Sequence, residues 1–198
     1  MKIAVFASGG GSNAEVIIKT LPSLLNKNPA TVAVIVSNNE KAGVKNIAAL
    51  YNIPFEIISL KSKTAEQQLA AYCEILEKHD IGFIVLAGYL KKLPEEITRA
   101  FSKRIVNIHP ALLPAYGGAG MYGKHVHKAV IDAGEKESGI TIHYVDEVYD
   151  HGQIIFQAKC KIDETDTADH LAKKILALEH QYYSSIIAET IVSQNPVK

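Results

Sequence analysis

The sequence is poor in cysteine. Its 198 residues include only Cys73 and Cys160, which lie far apart and outside any C-x-x-C pair. That argues against a disulfide framework and fits a reducing compartment. Long apolar runs are missing too: none approaches the ~18 residues that mark a membrane span. The opening MKIAVFASGGGSN has one Lys and a few apolar residues before its glycines, too short for a signal peptide. It reads as a first strand, so the expected location is cytoplasmic, with no membrane partner. Net charge is absent as well, because Lys plus Arg number 21 and Asp plus Glu number 21. A chain without a basic excess has no electrostatic footprint for nucleic acid, so no nucleic-acid partner is expected. Internal repeats, low-complexity tracts and Pro/Gly/Ser linkers are also lacking.

What is present suits one globular domain. Hydrophobic residues make up 47% and charged residues 21%, which argues against disorder. The length favours a single α/β domain over 1–198, large enough to bury a core without staples. Runs rich in β-branched residues recur at Ile3–Ala7, Thr31–Ser37, Phe55–Leu60, Phe83–Ala87 and Arg104–Ile108. Helical spacing separates them at Asn13–Asn26, Glu40–Tyr51, Thr64–His79 and Pro94–Phe101. This alternation predicts a parallel sheet with helices on both faces. After it comes Pro110–Gly123, too rich in Gly and Pro for a helix or strand and long enough to be a functional loop. A short helix at Lys124–Ala133 follows. Gly139–Val145 and Gln153–Ile162 then read as antiparallel strands. The tail, Thr167–Ile191, has Leu171, Ile175, Leu178, Tyr182 and Ile186 at helical spacing and forms a long terminal helix, with Thr167 or Asp166 as its cap.

Three features carry chemistry. Ser8-Gly9-Gly10-Gly11-Ser12-Asn13 lies between a strand and a helix, where glycines allow close backbone approach and free helix N–H groups favour an anion. The loose Gly9-x-Gly11-x-x-Ala14 pattern also fits a dinucleotide turn. Ser37-Asn38-Asn39 stands where a ribose-binding acid would be expected, which favours a mononucleotide or sugar phosphate. Gly-Lys-Ser/Thr is missing, so this is not a P-loop. The plain alternative is a tight turn with a Ser or Asn cap. Second, Asn107 and His109 fall two apart at the carboxyl end of the fifth strand and point to one side. An amide beside an imidazole suits a developing oxyanion and proton transfer, although a strand-end His is often structural. Third, Asp150 lies in the acidic loop Val145–Gly152. Near His109 it would raise the imidazole pKa; otherwise it is a solvated turn acid. The His125-x-His127 pair, with His143 and His151, offers imidazoles but no zinc-binding pattern, so no metal is expected. His143 instead suits bracing of the loop. No nucleophile elbow is present, which favours direct transfer.

Ser8–Asn13 (SGGGSN), Leu86–Leu93 (LAGYLKKL), Asn107–Pro114 (NIHPALLP), Ser138–Gly152 (SGITIHYVDEVYDHG) and Leu178–His180 (LEH) together resemble the folate-dependent formyltransferases, in family order across the chain. The resemblance implies a Rossmann-like, mostly parallel sheet, with a nucleotide-binding half over 1 to about 100 and a folate-binding, catalytic half over about 101 to 198. It implies transfer of the formyl group of 10-formyltetrahydrofolate, a co-substrate, to the amine of glycinamide ribonucleotide in purine synthesis. Asn107, His109 and Asp150 would be catalytic. Gly11, Ser12, Asn13 and Glu179 would hold the ribonucleotide. Lys63, Leu90, Lys91, Lys92, Leu93, Asn107, Val145, Asp146 and Glu147 would hold the folate. The partners implied are these small molecules, in a monomer or homodimer. One departure is Ala115–Gly123, where family members often carry Pro-Gly and a His-rich stretch; Lys92 also replaces a common apolar residue. Formyl-transferring relatives that act on an aminoacyl-tRNA or a sugar nucleotide, or that hydrolyse the folate, are the enzyme alternatives. The first usually adds a C-terminal domain and a basic surface, and the hydrolase an N-terminal regulatory domain. A non-catalytic nucleotide-binding module is the alternative from another class.

Overall fold

The computed structural model describes residues 1–25 and 30–194. Asn26, the expected end of the first helix, lies outside them. The described residues form a seven-stranded sheet in the order β3-β2-β1-β4-β5-β6-β7. The strands are β1 (Lys2–Phe6), β2 (Thr31–Ser37), β3 (Phe55–Ile57), β4 (Phe83–Leu86), β5 (Ile105–His109), β6 (Glu137–Tyr144) and β7 (Ile154–Lys161). Neighbours from β3 to β5 pair in parallel; β5–β6 and β6–β7 are antiparallel. The helices are α1 (Ser12–Leu24), α2 (Val44–Leu50), α3 (Ala65–Lys78), α4 (Glu95–Ala100), α5 (Lys124–Asp132) and α6 (Ala168–Gln194). This is the mostly parallel sheet with an antiparallel C-terminal pair and a long last helix that the residue pattern predicts, in the Rossmann-like form that the resemblance implies.

The period of two divides the apolar strand residues between two cores. Ile3, Val5 and Ala7 face one side with Ile35, Val85, Val106 and Ile108, under Ile17 of α1, Val126 of α5 and Ile175 and Tyr183 of α6. Ala4 and Phe6 face the other with Val34, Val36, Ile84 and Ile105, under Tyr72 and Leu76 of α3 and Ile97 of α4. Because helices cover both faces, the inner strands are buried throughout, which is why they read as unbroken apolar runs.

Local chemistry sets the ends of elements. Thr64 and Gln67 form a reciprocal capping box at the start of α3. At α6 the Thr167 hydroxyl accepts the His170 N–H at 3.2 Å. α2 begins at Val44 rather than Glu40. Here Asn39 Oδ1 accepts the Lys41 N–H at 3.0 Å, a local turn that competes with the helix. β3 stops at Ile57, three residues short of the expected run. It is an edge strand paired only through Ile35–Ser37 of β2.

Candidate active site

In this strand order the chain leaves β1 toward β2 on one side, and β4 lies on the other. Loops therefore part at the carboxyl ends of β1 and β4, where open α/β sheets make a crevice. A cavity of about 980 Å³ lies there. Ser8 and Gly9 from β1, Gly88–Leu93 from β4, and Asn107 and His109 from β5 line it. The loop after β6 adds Val145, Asp146 and Val148–Asp150, and α6 adds Ile175, Leu176 and Glu179. Ser8 joins the rim. It donates to Asn38 Oδ1, accepts the Leu90 N–H at 3.0 Å, and its own N–H bonds Gly88 O at 3.0 Å.

The Gly-rich turn delivers α1 to this cavity with its N-terminus open. Gly11 takes φ +85° at the N-cap, and no side chain among the described residues caps the helix, contrary to the Ser or Asn cap alternative. A Cβ on Gly11 would lie 2.6 Å from Val44 Cγ2, so glycine is required for packing as well as conformation. Gly11 and Ser12 do not line the cavity, whereas Asn13 does. Asn13 Nδ2 donates to Glu179 Oε2 at 2.7 Å, joining α1 to α6. Burial pushes the Glu179 carboxyl up, and the Asn13 amide only partly offsets it. A helix N-terminus beside a half-buried carboxylate can take an anion at one end and hydroxyl or amine donors at the other.

At the opposite wall, strand pairing assembles a polar cluster. Asn107 is directly opposite His143 in the β5–β6 register, and His109 is opposite Thr141. His143 Nδ1 donates to Tyr144 O at 2.7 Å, so its Nε2 accepts the Asn107 amide N–H at 3.1 Å. His109 Nε2 donates to Tyr116 O at 2.8 Å, leaving Nδ1 3.4 Å from Asp150 Oδ2. Asp150 also accepts the Gly118 N–H at 2.9 Å and places Oδ1 3.6 Å from His143 Nε2. Thus His143 lies beside the acidic loop, and the Gly-rich loop 110–123 touches both His109 and Asp150. Thr141 fixes that loop's start: its hydroxyl donates to Ala111 O at 2.7 Å and accepts the Leu113 N–H at 2.9 Å.

The electrostatics correct one expectation. The Asp150 carboxylate and the Tyr116 carbonyl push the His109 pKa up, but burial is the larger influence and leaves it below the ordinary histidine value. At neutral pH the ring is therefore neutral, with Nδ1 free to take a proton beside a carboxylate. Burial pushes the Asp150 carboxyl up, but His143, His109 and the Gly118 N–H outweigh it and hold the carboxyl below its ordinary range. Asp150 adopts φ 53°, a left-handed conformation held by these contacts.

Other expected residues fall variously. Leu90, Lys91, Lys92, Leu93, Val145 and Asp146 line the cavity. The Lys92 ammonium sits at the surface, 3.5 Å from Glu95. Asp146 shapes its own turn, accepting the Val148 N–H at 2.8 Å. Lys63 is exposed and does not line the cavity. Glu147 turns away to Arg99 at 3.2 Å. The residue pattern does not single out Asn38, Asn39 or Tyr89 as cavity walls; only the strand register and loop paths bring them here. His125 and His127 do not act as a pair. His125 is exposed against the Tyr122 ring, while His127 is buried in the cavity wall.

Gly152 controls the position of Asp150. A Cβ there would lie 1.8 Å from Tyr144 O, backbone that is paired in the sheet. Gly152→Ala is expected to cost ~2 kcal/mol in chemical denaturation, as overpacking does. Turnover should also fall because the loop bearing Asp150 must shift. Unchanged stability and activity would show that the turn does not set the site.

Comparison with known proteins bears on this architecture. Residues 1–187 match the family described as formyl transferase. The phosphoribosylglycinamide formyltransferase of Bacillus subtilis (strain 168) is 39% identical over 197 residues, 98% of this chain and 96% of its own length. The chloroplastic phosphoribosylglycinamide formyltransferase of Arabidopsis thaliana is 40% identical over 188 residues, 94% of this chain. The chain spans 64% of that relative's length, and 59% of the corresponding protein of Vigna unguiculata. The crystal structure of phosphoribosylglycinamide formyltransferase from Bacillus halodurans matches with a TM-score of 0.87 at 35% identity, covering 98% of this chain and 96% of that one. A match that runs through both the Gly-rich turn and the Asn107–Asp150 cluster, on the same fold, places this chain in the formyl transferase family.

Proposed function

We propose that the protein transfers the formyl group of 10-formyltetrahydrofolate to the amine of glycinamide ribonucleotide. One observation carries the reading: Asn107, His109 and Asp150 converge on the same cavity that Asn13, in the first turn of α1, and Glu179 reach from the other side. Relatives named phosphoribosylglycinamide formyltransferase support the choice of substrates.

In this reading Asn13, in the first turn of α1, holds the phosphate. Glu179 receives donors from the sugar or its amine arm. Leu90–Leu93 and Val145–Asp146 cradle the folate, with backbone groups reading its ring. Lys63 and Glu147 lie outside the cavity lining, and the reading rests on neither. The amine attacks the formyl carbon, and the carbonyl oxygen gains charge. Asn107 donates an amide N–H to that oxygen, and His109 adds a second donor where the Tyr116 hydrogen bond is exchanged for the substrate. A well-placed donor of this kind is worth ~3 kcal/mol. The proton released by the amine passes to the His109–Asp150 pair. His109 Nδ1 holds it with Asp150 as counter-charge, and it returns to the folate nitrogen as the carbon–nitrogen bond breaks. The cavity walls supply proximity by holding both reactants together.

The test follows folate absorbance with both substrates present. Consumption of formyl-folate should require the ribonucleotide amine. Equal consumption without it would identify a hydrolase, and no consumption would leave a binding module.

A further inference from the structure

His127 is a buried imidazole that the mechanism above does not use. It sits on α5, is 7% exposed, and lines the cavity. Its Nδ1 is sealed from solvent with no hydrogen-bond partner among the described residues, which leaves Nε2 as the ring nitrogen open to the cavity. Nε2 also has no hydrogen-bond partner among the described residues, so it is free to pair with a group held in the cavity. A sealed nitrogen costs least as a bare lone pair, which puts the ring proton on Nε2. Burial pushes the His127 pKa down, and the nearby His109 adds to this, so the ring is neutral near pH 7. The cavity therefore meets a neutral N–H donor.

Position decides which reactant it meets. α5 packs against α6, and α6 packs against α1. Those two helices carry Glu179 and Asn13, the ribonucleotide side. The folate segments Leu90–Leu93 and Val145–Asp146 lie at the ends of β4 and β6. From this placement we infer that His127 is a further substrate-binding residue, donating its Nε2–H to an acceptor oxygen of the ribonucleotide between its phosphate and its amine. The inference rests on the proposed reaction for the identity of that ligand, and on geometry for the donor.

The test compares wild type, His127→Phe and His127→Gln. Phenylalanine keeps a ring but removes both nitrogens; glutamine returns an amide N–H near the Nε2 position. Calorimetry should show glycinamide ribonucleotide binding about tenfold weaker to His127→Phe, the scale of one hydrogen bond. It should be largely restored in His127→Gln. The KM for 10-formyltetrahydrofolate should stay unchanged. The melting temperature of His127→Phe should not fall, since an unpaired buried nitrogen has been removed; His127→Met replaces it if phenylalanine does not fold. Equal affinity in all variants overturns the inference while leaving formyl transfer standing. So does an equal loss for both substrates with a lower melting temperature, which would make His127 structural. A wild type that neither binds the ribonucleotide nor transfers formyl overturns both readings.

Discussion

His109→Ala is expected to lower turnover by ~10²–10⁴-fold, the range for losing a positioned acid–base group. The imidazole is 3% exposed, and its nitrogens meet two acceptors, Tyr116 O at 2.8 Å and Asp150 Oδ2 at 3.4 Å. A neutral ring satisfies Tyr116 alone. A ring that has taken a proton at Nδ1 satisfies both, so the site is matched to the charge state that proton transfer creates. Alanine removes this acceptor and the donor to the oxyanion together. Asp150 keeps the Gly118 N–H, so the fold should lose only ~1 kcal/mol. A single-turnover rate at saturating substrates is the measurement. A rate within threefold of wild type would remove His109 from the mechanism.

Asp150→Asn is the second large effect. Asparagine keeps the size and can still accept the Gly118 N–H, but it carries no charge. Turnover should fall at least ~100-fold if the counter-charge matters to proton transfer. The same substitution moves the His109 pKa in a known direction. Burial already holds it below about 6.5, and the carboxylate opposes that burial, so removing the carboxylate lowers it further. An NMR titration of the ring should show a midpoint below the ordinary value in wild type and lower again in the variant. A wild-type midpoint above the ordinary value would contradict the neutral resting ring. Stability follows the same linkage. The Asp150 pKa is lowered in the fold, so its ionisation stabilises the native state above the ordinary carboxylate pKa of about 4. That contribution is lost as pH falls through the native pKa. Asp150→Asn should therefore show a weaker loss of melting temperature on acidification.

Much of this arrangement is legible in the residues. Alternating apolar runs and helical spacings set the order of elements, and the period of two puts Asn107 and His109 on one side of β5. The Gly-rich turn announces an open helix end, although only the packing of Val44 shows why Gly11 itself must be glycine. Contacts across distant segments were less accessible. Asp150 lies forty-odd positions after His109; the family resemblance, not spacing, joined them. The β5–β6 register then explains the His143 bridge. Burial is a property of the folded shell, so the sign of the His109 shift was misjudged while the sign of the Asp150 contribution was right. Side-chain direction is not legible at Lys63, which stays at the surface, or at Glu147, which turns to Arg99. A solvent-facing charge and a ligand-facing charge look alike in a sequence. His127 shows the reverse case, an imidazole on a helix whose cavity-facing position depends on how α5 packs.

The most direct test of the central claim follows a ¹³C-labelled formyl group through one turnover in the presence of glycinamide ribonucleotide. The label should move from the folate nitrogen to the ribonucleotide amine, with no free formate and no formyl group bound to the protein. Label recovered as formate, or on a protein side chain, would contradict direct transfer in this cavity.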